Sequence, residues 1–179
     1  MRFVYAIGVL ALSLFAITTV PPRAYSQASA EQSISTLAAR VRELEDQQQI
    51  QRVIMLYGST LDARDFHTYA SLFASNGVWS GSMGTFTGPA AIEAAMQKAF
   101  RRAPGSPPPA PNFHLLTNVM IEVNGDRATA VSKWTFVRAV DNKLSIALAG
   151  HYDDTFVREN GHWTFLRRVA PAVLEPAPN

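Results

Sequence analysis

The stretch Leu61–Phe73, LDARDFHTYASLF, decides the fold that is predicted for this chain of 179 residues. It joins the end of one helical pattern to the start of another. Asp65 is a good N-cap residue and precedes an apolar run, so a short second helix is predicted after it. The apolar face of this helix consists of Phe66, Tyr69, Leu72 and Phe73. Capping therefore accounts for Asp65 without any further role, which distinguishes it from Asp62, three residues earlier.

Upstream of this stretch, the spacing of apolar residues predicts a long amphipathic first helix from Glu31. Apolar residues recur at steps of three and four, with acidic residues between them. The residues of this pattern are Leu37, Val41, Leu44, Ile50, Val53, Ile54 and Tyr57. The run Gln47–Gln49 predicts a change in the side of the helix that faces solvent, because amides are poor core residues.

Downstream, the sequence predicts a strand, a third helix and a loop. Asn76-Gly77 is typical of a turn, and a strand is expected to begin at Val78. Gly88-Pro89 opens a helix that continues to about Phe100, since proline favours the first helical turn. The proline-rich residues Pro104–Pro111 are expected to form a loop that borders a cavity.

The last third of the chain predicts an antiparallel meander. Turn signals separate four strand patterns, which are Phe113–Val123, Ala128–Val140, Leu144–Arg158 and His162–Val169. Helices followed by a strongly curved sheet are typical of an α+β fold with the helices on one face. The residues Pro171–Asn179 are predicted to form a surface tail.

The first thirty residues have the pattern of a cleavable secretory signal peptide. Arg2 precedes a long apolar run, and small residues follow at Ala28-Ser29-Ala30, with a second cleavage site at Ala24-Tyr25-Ser26. The apolar run is also long enough for an uncleaved membrane anchor, which remains the alternative to cleavage. We expect a periplasmic or secreted protein, cleaved near Ala30 or Ser26, that has no membrane contact after cleavage.

Composition limits the partners and the chemistry of the mature chain. Removing residues 1–30 takes away two arginines and no acidic residue, which leaves 14 basic and 14 acidic residues and a formal net charge of zero. A neutral domain without a basic stripe is not expected to bind nucleic acid. The absence of cysteine excludes disulfides and thiolate zinc sites. The sequence also lacks a phosphate loop, a nucleophile elbow, a dinucleotide fingerprint and a recognisable metal site, so no cofactor and no metal are expected.

The stretch at residues 61–73, together with Gly77-Val78-Trp79, resembles the entry motif of SnoaL-like proteins in the nuclear transport factor 2-like superfamily. Supporting segments are 88–92, 114–118, 124–128 and 161–163, so the resemblance covers about residues 40–170. It implies a cone-shaped barrel in which a curved, mostly antiparallel sheet wraps the long helix around an apolar pocket. It also implies self-association as a homodimer or homotrimer, commonly through the open face of the sheet.

Within this superfamily the chain is most similar to small lyases that use an Asp-His pair: scytalone dehydratase, hexachlorocyclohexane dehydrochlorinase and bile-acid 7α-dehydratase. The resemblance places the family aspartate on Asp62 and the histidine on His114. It places a tyrosine of the bile-acid dehydratases on Tyr57 and an arginine of the last strand on Arg168. The dehydrochlorinase has lysine at the position of Tyr57, which argues against carrying over its halide chemistry.

The predicted roles follow from the chemistry of these groups. His114 would act as general base, Asp62 would hold its tautomer, and Tyr57 would donate to a carbonyl or leaving hydroxyl. Five residues turn an ideal helix about 140° beyond one revolution, so Tyr57 and Asp62 would share a pocket only if the helix bends or ends near Gly58. A surface carboxylate and a backbone-bonded histidine are the alternatives for Asp62 and His114.

Strand parity leaves the arginine of the last strand open. Alternation places Arg167 on the same side as Phe165 and Trp163, whereas the family position favours Arg168, and a bulge would decide between them. A pocket arginine would stabilise a developing anion, whereas the alternative is a surface ion pair. The predicted pocket-lining residues are Trp79, Trp134, Phe136, Tyr152 and Leu116. The alternative is that these side chains only pack in the core and contact no ligand.

Together these features predict a cofactor-independent lyase of dehydratase type. The substrate would be a small apolar cyclic or aromatic compound. An isomerase or cyclase of the same fold would use the same base without losing a leaving group. A non-catalytic small-molecule-binding or assembly module, in which Asp62 and His114 only satisfy each other, is the third hypothesis.

Overall fold

The computed structural model describes the backbone of residues 22–174 and the side chains of residues 27 and 29–171. Most of the predicted signal peptide therefore lies outside the described residues, and residues 22–30 belong to the first helix. The chain divides into two units, one up to Ala39 and one from Arg40. The described part of the first unit is helical, and the second unit contains the sheet and the remaining helices.

Three helices and seven strands make up the described chain. The helices are α1 (Pro22–Ala63), α2 (Phe66–Ser71) and α3 (Pro89–Ala99). The strands are β1 (Phe73–Gly81), β2 (Gly84–Thr87), β3 (Asn112–Asn124), β4 (Arg127–Val140), β5 (Lys143–Glu159), β6 (His162–Ala170) and β7 (Ala172–Leu174). The three helices and the four-strand meander were predicted, which confirms the α+β class.

The sheet is mixed, mostly antiparallel, curled and not closed. Its strand order is β2-β1-β6-β5-β4-β3, with β7 paired to β5. The neighbours β1 and β6 run parallel, and the other neighbours run antiparallel. The helices pack on one face of this sheet, as expected for an amphipathic helix that buries its apolar side.

The first helix changes its buried side along its length. Ile50, Ile54 and Tyr57 are almost fully buried, whereas Val41 and Leu44 are exposed. The predicted change of solvent face at Gln47–Gln49 is therefore confirmed. The apolar residues before that run do not belong to the core.

The second helix begins as predicted. The Asp65 side chain accepts a hydrogen bond from the Thr68 backbone N–H at 3.0 Å. This contact lowers the pKa of the Asp65 carboxyl. The N-cap satisfies Asp65 on the surface, away from the Asp62 side chain.

The structure differs from the predicted elements at several places. The turn predicted at Asn76-Gly77 lies inside β1, where the pairing with β6 shifts register between Phe73 and Val78. A Cβ on Gly77 would lie 2.7 Å from the Phe165 carbonyl oxygen, so glycine permits a close approach of two strands rather than a turn. The predicted tail from Pro171 includes β7, and β2 was not predicted.

Candidate active site

Asp62 and His114 form a short contact between the last turn of α1 and the start of β3. The Asp62 Oδ1 atom lies 2.6 Å from His114 Nδ1, and Oδ2 accepts a hydrogen bond from the His114 backbone N–H at 2.9 Å. Both side chains are largely buried, at 12% exposed for His114 and 21% for Asp62. One carboxylate therefore fixes both the ring and the backbone of the histidine.

The contact determines which ring nitrogen is available. A carboxylate can only accept hydrogen bonds, so His114 carries its proton on Nδ1 when Asp62 is ionised. The lone pair of the neutral ring then lies on Nε2. Because His114 also lines a cavity, Nε2 is the nitrogen that can meet a ligand.

The cavity is small and mostly aromatic. Its volume is about 190 Å³. The residues that line it come from several helices and strands and are Tyr57, Leu61, Tyr69, Trp79, Ser82, Met83, Met96, Phe100, His114, Trp134, Phe136, Leu148, Tyr152 and Ala170. The Phe136 ring lies 4.9 Å from the His114 ring, centroid to centroid. The imidazole therefore enters an apolar space in which a hydrogen bond or charge is screened weakly.

A group of tyrosines supplies several of the polar atoms of the cavity. The Tyr57 hydroxyl accepts a hydrogen bond from Trp79 Nε1 at 2.9 Å, and its own O–H can donate in turn. The Tyr57 and Tyr69 rings lie 4.7 Å apart. Burial raises the pKa of both Tyr69 and Tyr152, with the Tyr57 phenol as the next cause, so these groups are neutral hydrogen-bond donors.

Tyr69 is one of the cavity residues that sequence reasoning missed. Its hydroxyl is buried and has no hydrogen-bond partner among the described residues. The apolar spacing of α2 assigned Tyr69 to the core, and the ring does pack there. The signal that could have identified it is the phenol itself, since a buried tyrosine hydroxyl usually finds a partner.

Tyr57 and Asp62 do not share the cavity. Helix α1 continues through Gly58 to Ala63, so it does not end between these two residues, as their sharing a pocket could have required. Tyr57 lines the cavity directly, whereas Asp62 contributes only through His114. A Cβ on Gly58 would lie 3.0 Å from Leu116 Cδ1, which shows how closely β3 approaches α1 at this point.

Arg168 lies behind the cavity rather than in it, which corrects its predicted role as a pocket group. It is fully buried and donates to both oxygens of Asp154, at 2.7 and 2.6 Å. Its guanidinium lies 3.9 Å from the ring centroids of both Tyr57 and Tyr152. Arg168 therefore positions two cavity tyrosines.

Burial and mutual attraction determine the charge states of Arg168 and Asp154. Burial disfavours the charged form of Arg168, but Asp154 more than offsets it and raises the guanidinium pKa above its ordinary value. Burial raises the pKa of Asp154 too, yet two short charge-assisted bonds keep the carboxylate ionised at neutral pH. The pair is a fixed dipole under the aromatic wall.

The open question about parity is settled by an irregularity in the sheet. The pairing of β5 with β6 shifts between Thr155 and Phe156, so Phe165 and Arg168 both face inward. Arg167 is exposed. Because of this bulge, Arg168, the residue at the family position, faces inward.

The predicted lining residues are placed with one correction. Trp79, Trp134, Phe136 and Tyr152 line the cavity, but Leu116 does not. Leu116 packs against Gly58 on α1 instead. Trp134 is held by a hydrogen bond from its Nε1 to the His151 carbonyl at 3.1 Å.

Other titratable groups do not extend the site. His67 lies 3.3 Å from Glu93 and His151 lies 3.3 Å from Asp153, and both histidine side chains are well exposed. Within the described part of the chain, no group of three or more histidine, cysteine, aspartate or glutamate residues is arranged to hold a metal ion. Among residues 22–174, no helix combines the length and hydropathy that a membrane crossing requires.

Comparison with solved structures agrees with this architecture. A nuclear transport factor 2-like protein with a cystatin-like fold from Novosphingobium aromaticivorans is similar at 28% identity and a TM-score of 0.68, over 80% of this chain and 92% of the other. A protein of unknown function from Nostoc punctiforme is 26% identical, with a TM-score of 0.61, over 73% and 94%.

A third similar structure carries a functional name. It is a proposed scytalone dehydratase from Novosphingobium aromaticivorans, 24% identical, with a TM-score of 0.60, over 74% of this chain and 87% of that one. A comparison with curated proteins finds no match. The family model of the SnoaL-like domain matches residues 42–169. The chain therefore belongs to the SnoaL-like domain family of the nuclear transport factor 2-like superfamily.

Proposed function

We propose that this chain is a cofactor-independent lyase of dehydratase type. The observation that carries the proposal is the 2.6 Å contact between Asp62 and His114, with His114 lining an aromatic cavity. A base held by a carboxylate in a largely apolar cavity suits proton abstraction from carbon. The SnoaL-like family includes dehydratases and cyclases, which supports this reaction class.

The proposed reaction removes one water from the substrate. His114 Nε2 takes a proton from a carbon next to the carbon that bears a hydroxyl, a carbon–carbon double bond forms, and the carbon–oxygen bond breaks. The departing oxygen leaves as water after it receives a proton from Tyr57 or from the imidazolium. Where Tyr57 donates, the imidazolium then returns its proton to the Tyr57 phenolate, so that both residues are restored. Asp62 stabilises the imidazolium while it exists.

The cavity limits the substrate to a small, largely apolar cyclic or aromatic compound. Its volume of about 190 Å³ lies below the range of roughly 300–1,000 Å³ that drug-sized ligands occupy. The Trp134 and Tyr152 rings stack with their centroids 5.8 Å apart, and they offer a flat wall to a planar ring. The Tyr57 and Tyr69 hydroxyls can donate hydrogen bonds to a substrate oxygen.

The experiment that tests the proposal begins with the ligand that the protein carries. Wild type, His114→Ala and the exposed control His151→Ala are purified, and co-purified compounds are identified by mass spectrometry. The recovered compound is then incubated with each protein. We expect His114→Ala to retain the substrate, and wild type and His151→Ala to release a product lighter by one water.

The other hypotheses give different masses. A product of unchanged mass would identify an isomerase or cyclase and contradict the dehydratase proposal. A ligand that all three proteins return unaltered would identify a binding module.

We also propose that the chain forms a homodimer or homotrimer through the outer face of its sheet. Phe113, Val137 and Ile146 are paired laterally across β3, β4 and β5 on that face, and Phe113 and Ile146 are 44% and 70% exposed. Apolar side chains in a row across three strands are typical of an interaction surface.

Export is proposed from the sequence of the first thirty residues. A basic start, an apolar run and small residues before Glu31 are the features of a signal peptide. The mass of the protein recovered from the periplasm or medium tests this proposal. A mass equal to that of the full chain would contradict cleavage near Ala30 or Ser26.

A further inference from the structure

Helix α1 carries exposed apolar side chains at a strict spacing. Ile34, Leu37, Val41 and Leu44 are 66, 60, 51 and 64% exposed. They follow one another at steps of three, four and three residues. This row, residues 34–44, is called the heptad segment below.

The heptad segment takes no part in the aromatic cavity or the core, although Val41 and Leu44 border an open groove beside Val119 and Ile121 on β3. On an ideal helix, Val41 and Leu44 point about 140° away from the side that carries Ile50, Ile54 and Tyr57. Those three side chains are buried under the sheet. The exposed row therefore needs another reason to be apolar.

We propose that the heptad segment forms a parallel, two-stranded coiled coil with the same segment of a second copy of this chain. The spacing places Ile34 and Val41 at the a positions of a heptad and Leu37 and Leu44 at the d positions. β-branched residues at a with leucine at d favour parallel pairs over trimers and tetramers. The choice of residues therefore indicates both the partner and the number of strands.

The charges beside the row fit the parallel arrangement. Arg40 stands at a g position and Glu45 at the e position five residues later. In a parallel pair a g residue meets the e residue of the next heptad on the other helix, so Arg40 of each copy faces Glu45 of the other. In an antiparallel pair, a g residue meets a g residue of the other helix. The g positions besides Arg40 are Ser33 and Gln47, and neither offers Arg40 a carboxylate.

The length of the row sets the strength of association. Gln48 and Gln51 occupy the next a and d positions, so the apolar seam ends after Leu44. Two heptads are short for a coiled coil, but α1 is already helical beyond the segment, which removes part of the nucleation cost. The pairing should be weak and is best detected by covalent trapping.

The absence of native cysteine makes trapping specific. Leu37→Cys and Leu44→Cys place one thiol at each d position of the full chain, and Arg42→Cys places one at an exposed b position as the matched control. Under mild oxidation we expect disulfide-linked dimers from the two d variants and several-fold less from Arg42→Cys. Equal yields from all three, or no dimer from either d variant, would overturn the proposal.

A charge exchange tests the orientation. In the Leu37→Cys background, Arg40→Glu should lower the dimer yield by about twofold, and adding Glu45→Arg should restore it. All these side chains are exposed, so folding is not at risk. A dimer yield that falls with Arg40→Glu and is not restored by Glu45→Arg would contradict the parallel pairing. If the chain associates only through the sheet face, the dimer yield should be low and the same with and without these charge changes, which would also overturn the proposal.

Discussion

At the scale of residues, one carboxylate organises the site. Asp62 uses Oδ1 on the His114 ring and Oδ2 on the His114 backbone, so the imidazole has no freedom to exchange its two nitrogens. Asp65, three residues later, makes a cap that any good N-cap residue can make. Two neighbouring aspartates therefore have separable roles.

This difference predicts the effect of two matched substitutions. Asp62→Asn should lower turnover by about 10²–10⁴-fold, because an amide that donates to Nδ1 moves the ring proton to Nε2. Asp65→Asn keeps a good N-cap and should leave turnover near the wild-type rate. Steady-state rates on the recovered substrate measure both. Equal losses in the two variants would show that the effect of Asp62→Asn is not specific to His114.

At the scale of elements, two polar contacts hold helices and strands in register. Asp46 on α1 accepts from Arg158 on β5 at 2.7 Å and from Trp163 on β6 at 3.0 Å. Deeper in the fold, Asp154 on β5 pairs with Arg168 on β6. The first contact is partly exposed and the second is fully buried, so they should respond differently to substitution.

The Asp46 contact predicts a pH-dependent loss of stability. The hydrogen bond from Arg158 is the main cause that lowers the pKa of Asp46 below 3.8, its ordinary value. The stabilisation is therefore complete above pH 3.8 and disappears as the pH falls through the lower folded pKa. Asp46→Asn should lower the free energy of unfolding by roughly 1–3 kcal/mol at pH 7. Denaturant titrations at several pH values should show this difference shrinking below pH 3.8, whereas a constant difference would contradict the assignment.

The buried pair predicts a non-additive result. Asp154→Leu leaves the Arg168 charge without a partner and should cost about 3–5 kcal/mol of unfolding free energy. Asp154→Leu combined with Arg168→Met removes both charges and should recover most of that loss. Urea unfolding of the two variants gives the comparison. A double variant less stable than Asp154→Leu would show that Arg168 supports Tyr57 and Tyr152 by more than its charge.

At the scale of the whole molecule, the outer face of the sheet predicts the state of association. Ile146→Asp puts a charge in the row with Phe113 and Val137, and it should convert oligomers to a smaller species. Ile146 is 70% exposed, so the fold should tolerate the change. Sedimentation velocity of the variant and of Gln97→Asp, a control at an exposed position on α3, measures it. An unchanged sedimentation coefficient would contradict the sheet-face proposal.

Much of the fold follows from local patterns that the sequence displays. Turn pairs such as Asn160-Gly161 adopt positive φ values of 50° and 80° and separate the predicted strands. Periodicity could not show which apolar residues of α1 would be buried, because Leu44 and Ile50 have the same character and differ only in what packs on them. The strand β2 is four residues long and lacks a strong pattern of its own.

The site was predicted in its main pair and missed in its details. The 2.6 Å approach of Asp62 to His114 depends on β3 lying close against Gly58, a distance between elements 52 residues apart that no local pattern encodes. The position of Arg168 depends on one register shift between β5 and β6. Such irregularities arise from packing across the sheet. The sequence alone therefore allowed either Arg167 or Arg168 to face inward and did not distinguish between them.

The dehydratase proposal requires that His114 removes a proton during loss of water. Turnover of the recovered substrate by His114→Ala, with His151→Ala as the control, tests this role. We expect a loss of at least about 10²-fold for His114→Ala, with ligand still bound, and wild-type turnover for His151→Ala. Wild-type turnover by His114→Ala would contradict the claim.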